Sequence, residues 1–316
     1  MNCILHWNAL TPQEWDSLFQ QIPRSNLLQS YTYARAYSVY AQQKPRFGHI
    51  EIKGKITGLF QIFETSLLFG AVHTVILDRG PLWLPGFGGA AHTKLFFETF
   101  NKTFPRRFGR TRRIIPEIED GLTAQKILES VGLQKREGRP GYETIWLDLN
   151  PDEETLRNNL KANWRNKLAK AEKSPLETSW DNTGKFFTDF KIGYAVDKSA
   201  RGYPGPSPKL LDQIARFSSQ TEDMMIGNAK YGQQITAAVL FIRHGRSATY
   251  LAGWTVGEGR TYAAHHLLLW QGLTRLKQAG IKELDLGGIN DESAKGVKTF
   301  KEGFGGIPVR LAGHYR

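Results

Sequence analysis

Residues 234–286 read QITAAVLFIRHGRSATYLAGWTVGEGRTYAAHHLLLWQGLTRLKQAGIKELDL, and the periodicity of this stretch decides the fold class. Gln234–Arg243 and Ser247–Trp254 are two strand-forming runs on either side of a tight turn at His244-Gly245. The apolar spacing then changes to a helical period over Tyr262–Ala279. Gly280 takes the C-cap position, and the chain returns to strand at Lys282–Leu286. A hairpin, a helix and a further strand in this order make an α/β unit.

Working outward, the same order occurs earlier in the chain. Phe47–Lys53 and Ile56–Thr65 flank Gly54-Lys55, and Val72–Leu77 adds a third strand. A helix over Ala91–Phe104, a strand over Arg112–Ile115, a helix over Leu122–Ser130 and a strand over Tyr142–Leu149 follow. An opening strand and helical segments at Pro12–Gln21 and Tyr31–Gln42 precede them. Asn150-Pro151-Asp152-Glu153-Glu154 carries a helix-start signature, with Asn150 as N-cap and carboxylates at the positive end of the dipole. Leu156, Leu160, Trp164 and Leu168 form the apolar stripe of that helix until Pro175 stops it. The expected architecture is α/β (α+β): two similar domains, 1–150 and 151–316, each a mixed sheet flanked by helices, with the active site in the second. The halves share an order of elements without obvious residue identity.

A chain of 316 residues has room for two domains of roughly 150 residues each. Its net charge of +12, from 42 Lys+Arg against 30 Asp+Glu, favours an anionic partner such as a nucleotide, a coenzyme, RNA or an acidic lipid headgroup. The single cysteine, Cys3, excludes an internal disulfide and a Cys-ligated zinc site. Among eight histidines only His265-His266 are adjacent, and on a helix their side chains point about 100° apart, so no metal is expected. The opening residues lack the pattern of a secretory signal and no apolar run reaches 18 residues. The expectation is a cytoplasmic protein with no integral membrane segment.

Two stretches point to chemistry. Tyr250–Arg260 ends a strand in a glycine-containing loop and opens a long helix. Backbone N–H groups around Gly257 and Gly259, with Arg260, form a candidate cofactor site for phosphate or pyrophosphate; alternatively the glycines only turn the chain. Trp254 stands beside this loop as a candidate cleft residue, while the other seven tryptophans fit core packing. The second stretch runs from Leu284-Asp285-Leu-Gly287-Gly288-Ile289 to Phe300-Lys301-Glu-Gly303-Phe304-Gly305-Gly306. Its glycines permit close backbone approach, and Lys301 beside an aromatic is either a cation aimed at a developing oxyanion or a solvated surface lysine.

Asp285-Leu-Gly-Gly-Ile followed by Phe300-Lys301-x-Gly303-Phe304-Gly resembles the C-terminal signature of the FemAB family, non-ribosomal peptidyltransferases built from two acetyltransferase-like (GNAT-type) domains. Gln29-Ser30, Arg79-Gly80-Pro81 and Trp164-Arg165-Asn166-Lys167 resemble further stations of that family in the same order. The resemblance implies that Lys301 stabilises the tetrahedral intermediate when an amine attacks an activated acyl ester, with Phe300 shaping the pocket. It also implies that Arg201 binds the phosphates of a nucleotide-linked acceptor, that Tyr203 assists it and that Tyr250 lines the acceptor channel. Two positions depart from the pattern: Pro204-Gly205-Pro206 follows Tyr203, and Ala252 stands two residues after Tyr250 where a second tyrosine is expected.

Acyl transfer to an amine needs a neutral nucleophile, a positioned ester or thioester and donors aimed at the oxyanion. Asp285, at the end of a strand, is a candidate to hold or deprotonate the amine, or it caps the following turn; His265 and His266 are the other candidates. No tightly bound cofactor is expected, and the co-substrate is an aminoacyl-tRNA or an acyl-coenzyme A. Two basic clusters are candidate tRNA footprints or solvated faces: Lys102, Arg106, Arg107, Arg110, Arg112 and Arg113, and then Arg157, Lys161, Arg165, Lys167, Lys170 and Lys173. The expected function is FemAB-like N-acyl transfer to a primary amine on a nucleotide-linked or lipid-linked acceptor, in cell-wall or surface-polysaccharide biosynthesis. The alternatives are an acyl-CoA-dependent GNAT acetyltransferase acting on a small amine or amino sugar, and a non-catalytic protein that binds RNA or an anionic polymer.

Overall fold

The structure, a computed structural model, describes residues 2–289 and 295–316. Two compact units divide the chain: Met1–Glu143 with Val309–Arg316, and Thr144–Pro308. The division differs from a cut after residue 150. The strand near residue 145 hydrogen-bonds into the second sheet, and the last eight residues return to the first unit.

In the first unit β1 (Cys3–Trp7), α1 (Pro12–Phe19) and α2 (Tyr31–Ala41) precede the meander β2 (Lys44–Ile52), β3 (Lys55–Leu67) and β4 (Val72–Asp78). A short β5 (Leu82–Trp83), α3 (Ala90–Thr103), β6 (Arg110–Ile115) and α4 (Leu122–Ser130) complete it. The sheet order is β1-β2-β3-β4-β6, with β5 paired to β3. Only β4 and β6 run parallel, joined through α3, whose Phe96, Phe97 and Phe100 are fully buried with Phe60 and Ile114. The tail supplies this unit's last partner: Tyr315 bridges Ile114, its N–H donating to Ile114 O at 2.8 Å, and Leu311, Ala312 and Tyr315 are buried.

The second unit contains β7 (Glu143–Asp148), α5 (Glu153–Asn158), α6 (Ala162–Glu172), β8 (Glu177–Asp181), α7 (Phe187–Arg201), α8 (Pro208–Ser218) and β9 (Met224–Tyr231). Then come β10 (Gln234–His244), β11 (Ser247–Thr255), α9 (Glu258–Thr261), α10 (Ala264–Gln278), β12 (Glu283–Asp285), α11 (Lys295–Gly303) and β13 (Ile307–Arg310). The sheet order is β13-β7-β12-β11-β10-β9-β8, with β11 and β12 parallel and joined through α10. Both sheets are therefore mixed, and both use the hairpin, helix, strand order of residues 234–286.

Three local readings need correction. The helix expected over 150–175 is two helices. Asp152, not Asn150, caps the first by accepting from Thr155 N–H, and the chain breaks before α6 because Lys161 N–H turns out to Gly303 O at 3.0 Å. Arg165 then donates to the freed carbonyls of Asn158 and Leu160. The apolar stripe survives the break, since Leu156, Leu160, Trp164 and Leu168 are all buried. The helix expected from about Tyr262 starts at Ala264, because Ala263, with a left-handed φ of 55°, separates it from the short α9. Within the glycine-rich C-terminal stretch, residues Lys295–Gly303 form a helix, α11.

Candidate active site

Lys301 lies in the last turn of α11 with its side chain turned inward, and only 7 % of the residue is exposed. Its Nζ donates to Gly288 O at 3.0 Å and lies 5.6 Å from the centre of the Tyr250 ring. Burial holds the ammonium pKa down to about 8, with Asp285 opposing the shift. At neutral pH the lysine therefore keeps its proton, and among the described residues a peptide carbonyl and an aromatic face hold it.

The Gly288 carbonyl is placed by the end of β12. Asp285 is fully buried, and its Oδ1 accepts from the Gly287 N–H at 2.8 Å and from the Thr144 hydroxyl, which also lies 3.0 Å from Gly287 O. Gly287 needs a φ of +73°, and a Cβ there would meet Tyr250 O at 3.0 Å and Lys301 Nζ at 3.5 Å. Asp285 thus fixes the loop under the lysine.

Tyr250 comes from β11, next to a bulge: Leu240 faces Ala252 but Phe241 faces Tyr250, which leaves Leu251 unpaired. Such a bulge re-aims the neighbouring side chain. The Tyr250 hydroxyl lies 2.8 Å from His265 Nε2, and Gly253 opens the space for both, since a Cβ there would sit 2.5 Å from the hydroxyl. Burial raises the Tyr250 pKa and lowers that of His265 to about 3, where His266, Lys301 and Arg201 add to the effect. Both rings are neutral at pH 7. Phe300 packs edge-on to His265 and His266, at 5.6 Å and 4.9 Å, and His266 lies against Trp164 at 4.7 Å. The adjacent histidines of α10 share Phe300 but otherwise diverge, His265 toward Tyr250 and His266 toward Trp164, with His266 held to a pKa of about 4 by burial and by Lys167.

Arg201, Tyr203 and Arg260 converge on one carboxylate that the sequence reading passed over. Asp197, 6 % exposed on α7, lies 3.1 Å from Arg201 Nε and 3.6 Å from an Arg260 terminal nitrogen, and it accepts from Tyr203 Oη at 3.2 Å. Its spacing of four residues from Arg201 on a helix was the available signal. The Asp197 carboxylate helps raise the Tyr250 pKa and Arg201 helps lower that of His265, so the two groups share one electrostatic neighbourhood. About half of each arginine side chain remains exposed.

Two predicted groups have other commitments. Trp254 donates its indole N–H to Phe190 O at 3.0 Å and packs on Gly193, which makes it a wall between α7 and β11. Gly257 adopts φ 44°, ψ −123°, which favours glycine, and Gly259 is pressed against Thr236 O, where a Cβ would come within 2.4 Å. The amides of Gly259, Arg260, Thr261, Tyr262 and Ala263 all donate to carbonyls of residues 256–260, so they are not offered to a pyrophosphate.

The basic clusters also divide. Arg112 is buried and donates to Asn101 Oδ1 and Phe104 O, Arg113 pairs with Asp78, and Arg110 donates to His73 Nδ1 and Pro105 O. On the second cluster Arg157 makes a bidentate pair with Glu172, at 2.8 and 2.6 Å, whereas Lys161, Lys167, Lys170 and Lys173 are exposed along α6.

The FemAB family model matches residues 207–316, the stretch that carries β9 to β13, Tyr250, Asp285 and Lys301. The crystal structure of FemX superposes with a TM-score of 0.80 at 14 % identity, covering 98 % of this chain and 96 % of that one. The chain is FemAB-like. Its tandem acetyltransferase-type fold also resembles a tandem GNAT protein from the clavulanic acid biosynthesis pathway (TM-score 0.51, 12 % identity, 99 % and 98 % covered). A third likeness is to the C-terminal domain of a putative lysylphosphatidylglycerol synthetase from Agrobacterium fabrum (TM-score 0.54, 12 % identity, 96 % and 92 % covered). No curated protein sequence matches significantly. Among the described residues, no helix of this FemAB-like chain is long and apolar enough to cross a membrane.

Proposed function

We propose that this FemAB-like chain is an acyltransferase that moves an aminoacyl group from an aminoacyl-tRNA to a primary amine, on an acceptor that carries phosphate, in cell-wall or surface-polysaccharide biosynthesis in the cytoplasm. The observation that carries the proposal is the buried Lys301 ammonium, held by Gly288 O and the Tyr250 ring beside the Arg201–Tyr203–Arg260 group. The FemAB match over residues 207–316, which include Tyr250, Arg260, Gly288 and Lys301, supports it.

In the reaction the neutral amine attacks the ester carbonyl, the C–N bond forms, and the carbonyl oxygen takes up negative charge. Lys301 faces that charge in a site from which burial excludes water, where a fixed cation has its largest effect. Collapse breaks the C–O bond, and the proton lost by the amine goes to the departing ribose oxygen, so no covalent enzyme intermediate is needed. Phe300 shapes the pocket, Tyr250 lines it, and Arg201 and Arg260, oriented by Asp197 and Tyr203, bind the acceptor's phosphates. Asp285 holds the Gly287-Gly288 loop that positions Lys301, and its Oδ1 is already engaged. Trp254 supports α7 from behind.

An ester donor is favoured over acyl-coenzyme A because the amides of residues 259–263 are spent within their own loop. The exposed lysines of α6 offer a phosphate-binding face for the tRNA.

Single-turnover transfer from labelled aminoacyl-tRNA and from acetyl-coenzyme A, to amine acceptors with and without a diphosphate, tests the proposal. We expect product from the tRNA ester only, and a loss of about 10²–10³-fold in rate for Lys301→Ala in a chain whose circular dichroism shows it folded. Saturable turnover with acetyl-coenzyme A, or full activity in Lys301→Ala, overturns it.

A further inference from the structure

We propose that the tip of the first unit formed by the β3–β4 connection and the loop before β6 docks onto an anionic lipid bilayer surface. The connection runs Ser66-Leu67-Leu68-Phe69-Gly70-Ala71-Val72, and the loop runs Pro105-Arg106-Arg107-Phe108-Gly109. They are neighbours: Arg107 donates to Gly70 O, His73 N–H donates to Gly109 O at 2.8 Å, and a Cβ on Gly109 would overlap Ala71 O.

Their apolar side chains point away from the protein. Leu68 is 73 % exposed, Phe69 and Phe108 are fully exposed, and Leu67 and Val72, cross-strand partners in the β3–β4 ladder, add to the same tip. Leu68 and Phe69 hold left-handed φ values of 51° and 53°, a conformation unfavourable for bulky residues that here presents both to solvent. A soluble chain gains nothing from this arrangement.

Charge decides what covers the tip. Arg107 reaches the connection directly, Arg106 of the same loop donates to Arg316 O, exposed Lys102 lies in the last turn of the helix leading into the loop, and neither Thr65–Thr74 nor Thr99–Arg113 contains an acid. A second copy of the same tip would oppose like charges. Phe69 and Phe108 could stack on nucleic-acid bases, but Leu67, Leu68 and Val72, three of the five exposed apolar residues, are no stacking platform and a nucleic acid would leave them in water. An anionic bilayer satisfies both features at once: leucine and phenylalanine enter the headgroup–acyl boundary while the long basic side chains reach lipid phosphates. This inference is independent of the proposed transfer reaction.

Co-sedimentation of the full chain with vesicles of phosphatidylcholine, and of phosphatidylcholine with 30 mol % phosphatidylglycerol, tests it. We expect salt-sensitive binding to the anionic vesicles, at least about tenfold tighter than to the neutral ones. Phe69→Ser with Phe108→Ser should weaken it about tenfold or more, and Lys102→Ala with Arg106→Ala about fivefold per residue. Ile192→Ser with Val196→Ser, two other exposed apolar residues, on α7, should leave it unchanged. Equal partitioning onto both vesicles, or no effect of the phenylalanine pair, overturns the proposal. So does a concentration-dependent dimer, seen by sedimentation without vesicles, that the phenylalanine pair abolishes.

Discussion

Lys301 has opposite effects on turnover and on stability. Its pKa of about 8 means that turnover requiring the ammonium should fall as pH rises through 8, and Lys301→Arg should not restore it, because the planar guanidinium does not fit the Gly288–Tyr250 niche. A pH–rate profile on both variants checks this. In the unfolded chain the same lysine holds its proton to about 10.5, so burying it charged costs stability at neutral pH. Lys301→Met should raise unfolding stability at pH 7 by up to about 3 kcal/mol, a gain that shrinks between pH 8 and 10.5. Asp197→Asn should raise KM for a phosphate-bearing acceptor severalfold with kcat less affected, because it releases Arg201, Arg260 and Tyr203 from a common anchor. Lys301 and Arg201 were legible in the sequence through short motifs. Thr144 was not, because it acts only through neighbours that the fold brings to it, and Asp197 was announced only by its i,i+4 spacing from Arg201, its links to Arg260 and Tyr203 being made by the fold.

The two hairpins illustrate what was legible at the scale of elements. Turns at Gly54 and Gly245 located them, both glycines having positive φ. A correspondence between the halves went unnoticed although the dipeptide Ile-Thr announces it. Thr57 and Thr236 each sit at a bulge in the second strand of a hairpin, and each donates its buried hydroxyl across to the first strand, to Ile50 O at 3.1 Å and Ala229 O at 3.3 Å. Helix breaks were harder to read, since those at Lys161 and Ala263 answer to tertiary partners and backbone strain rather than to proline or glycine. The start of α10 carries a further prediction. His266 is neutral in the folded chain down to a pH of about 4, whereas its unfolded form takes up a proton near 6.5, so stability is lost as pH falls between those values. His266→Phe should flatten the acid limb of a stability–pH curve by about 3 kcal/mol over that range. On the neighbouring helix, Gly193→Val would drive a side chain into Trp254, whose ring lies 2.3 Å from the position of a Cβ there; a drop in melting temperature is expected.

Composition and element order were enough to suggest two similar α/β halves, but not the path of the chain between them. Strand β7 pairs with β12 in the second sheet, while the closing residues return to β6 in the first. No periodicity shows where a strand finds its partner when about 200 residues separate Ile114 from Tyr315. Deleting residues 311–316 removes the buried Leu311, Ala312 and Tyr315 from the first unit, and calorimetry should show that unit destabilised by more than about 3 kcal/mol. The returning tail also sets an order of events during synthesis. The first unit waits for the 165 residues Thr144–Pro308 to be translated before its last partner exists, roughly 10–30 s at usual elongation rates. Until then the edge of β6 stands open, and a chain broken off before Tyr315 carries a first half that was never closed.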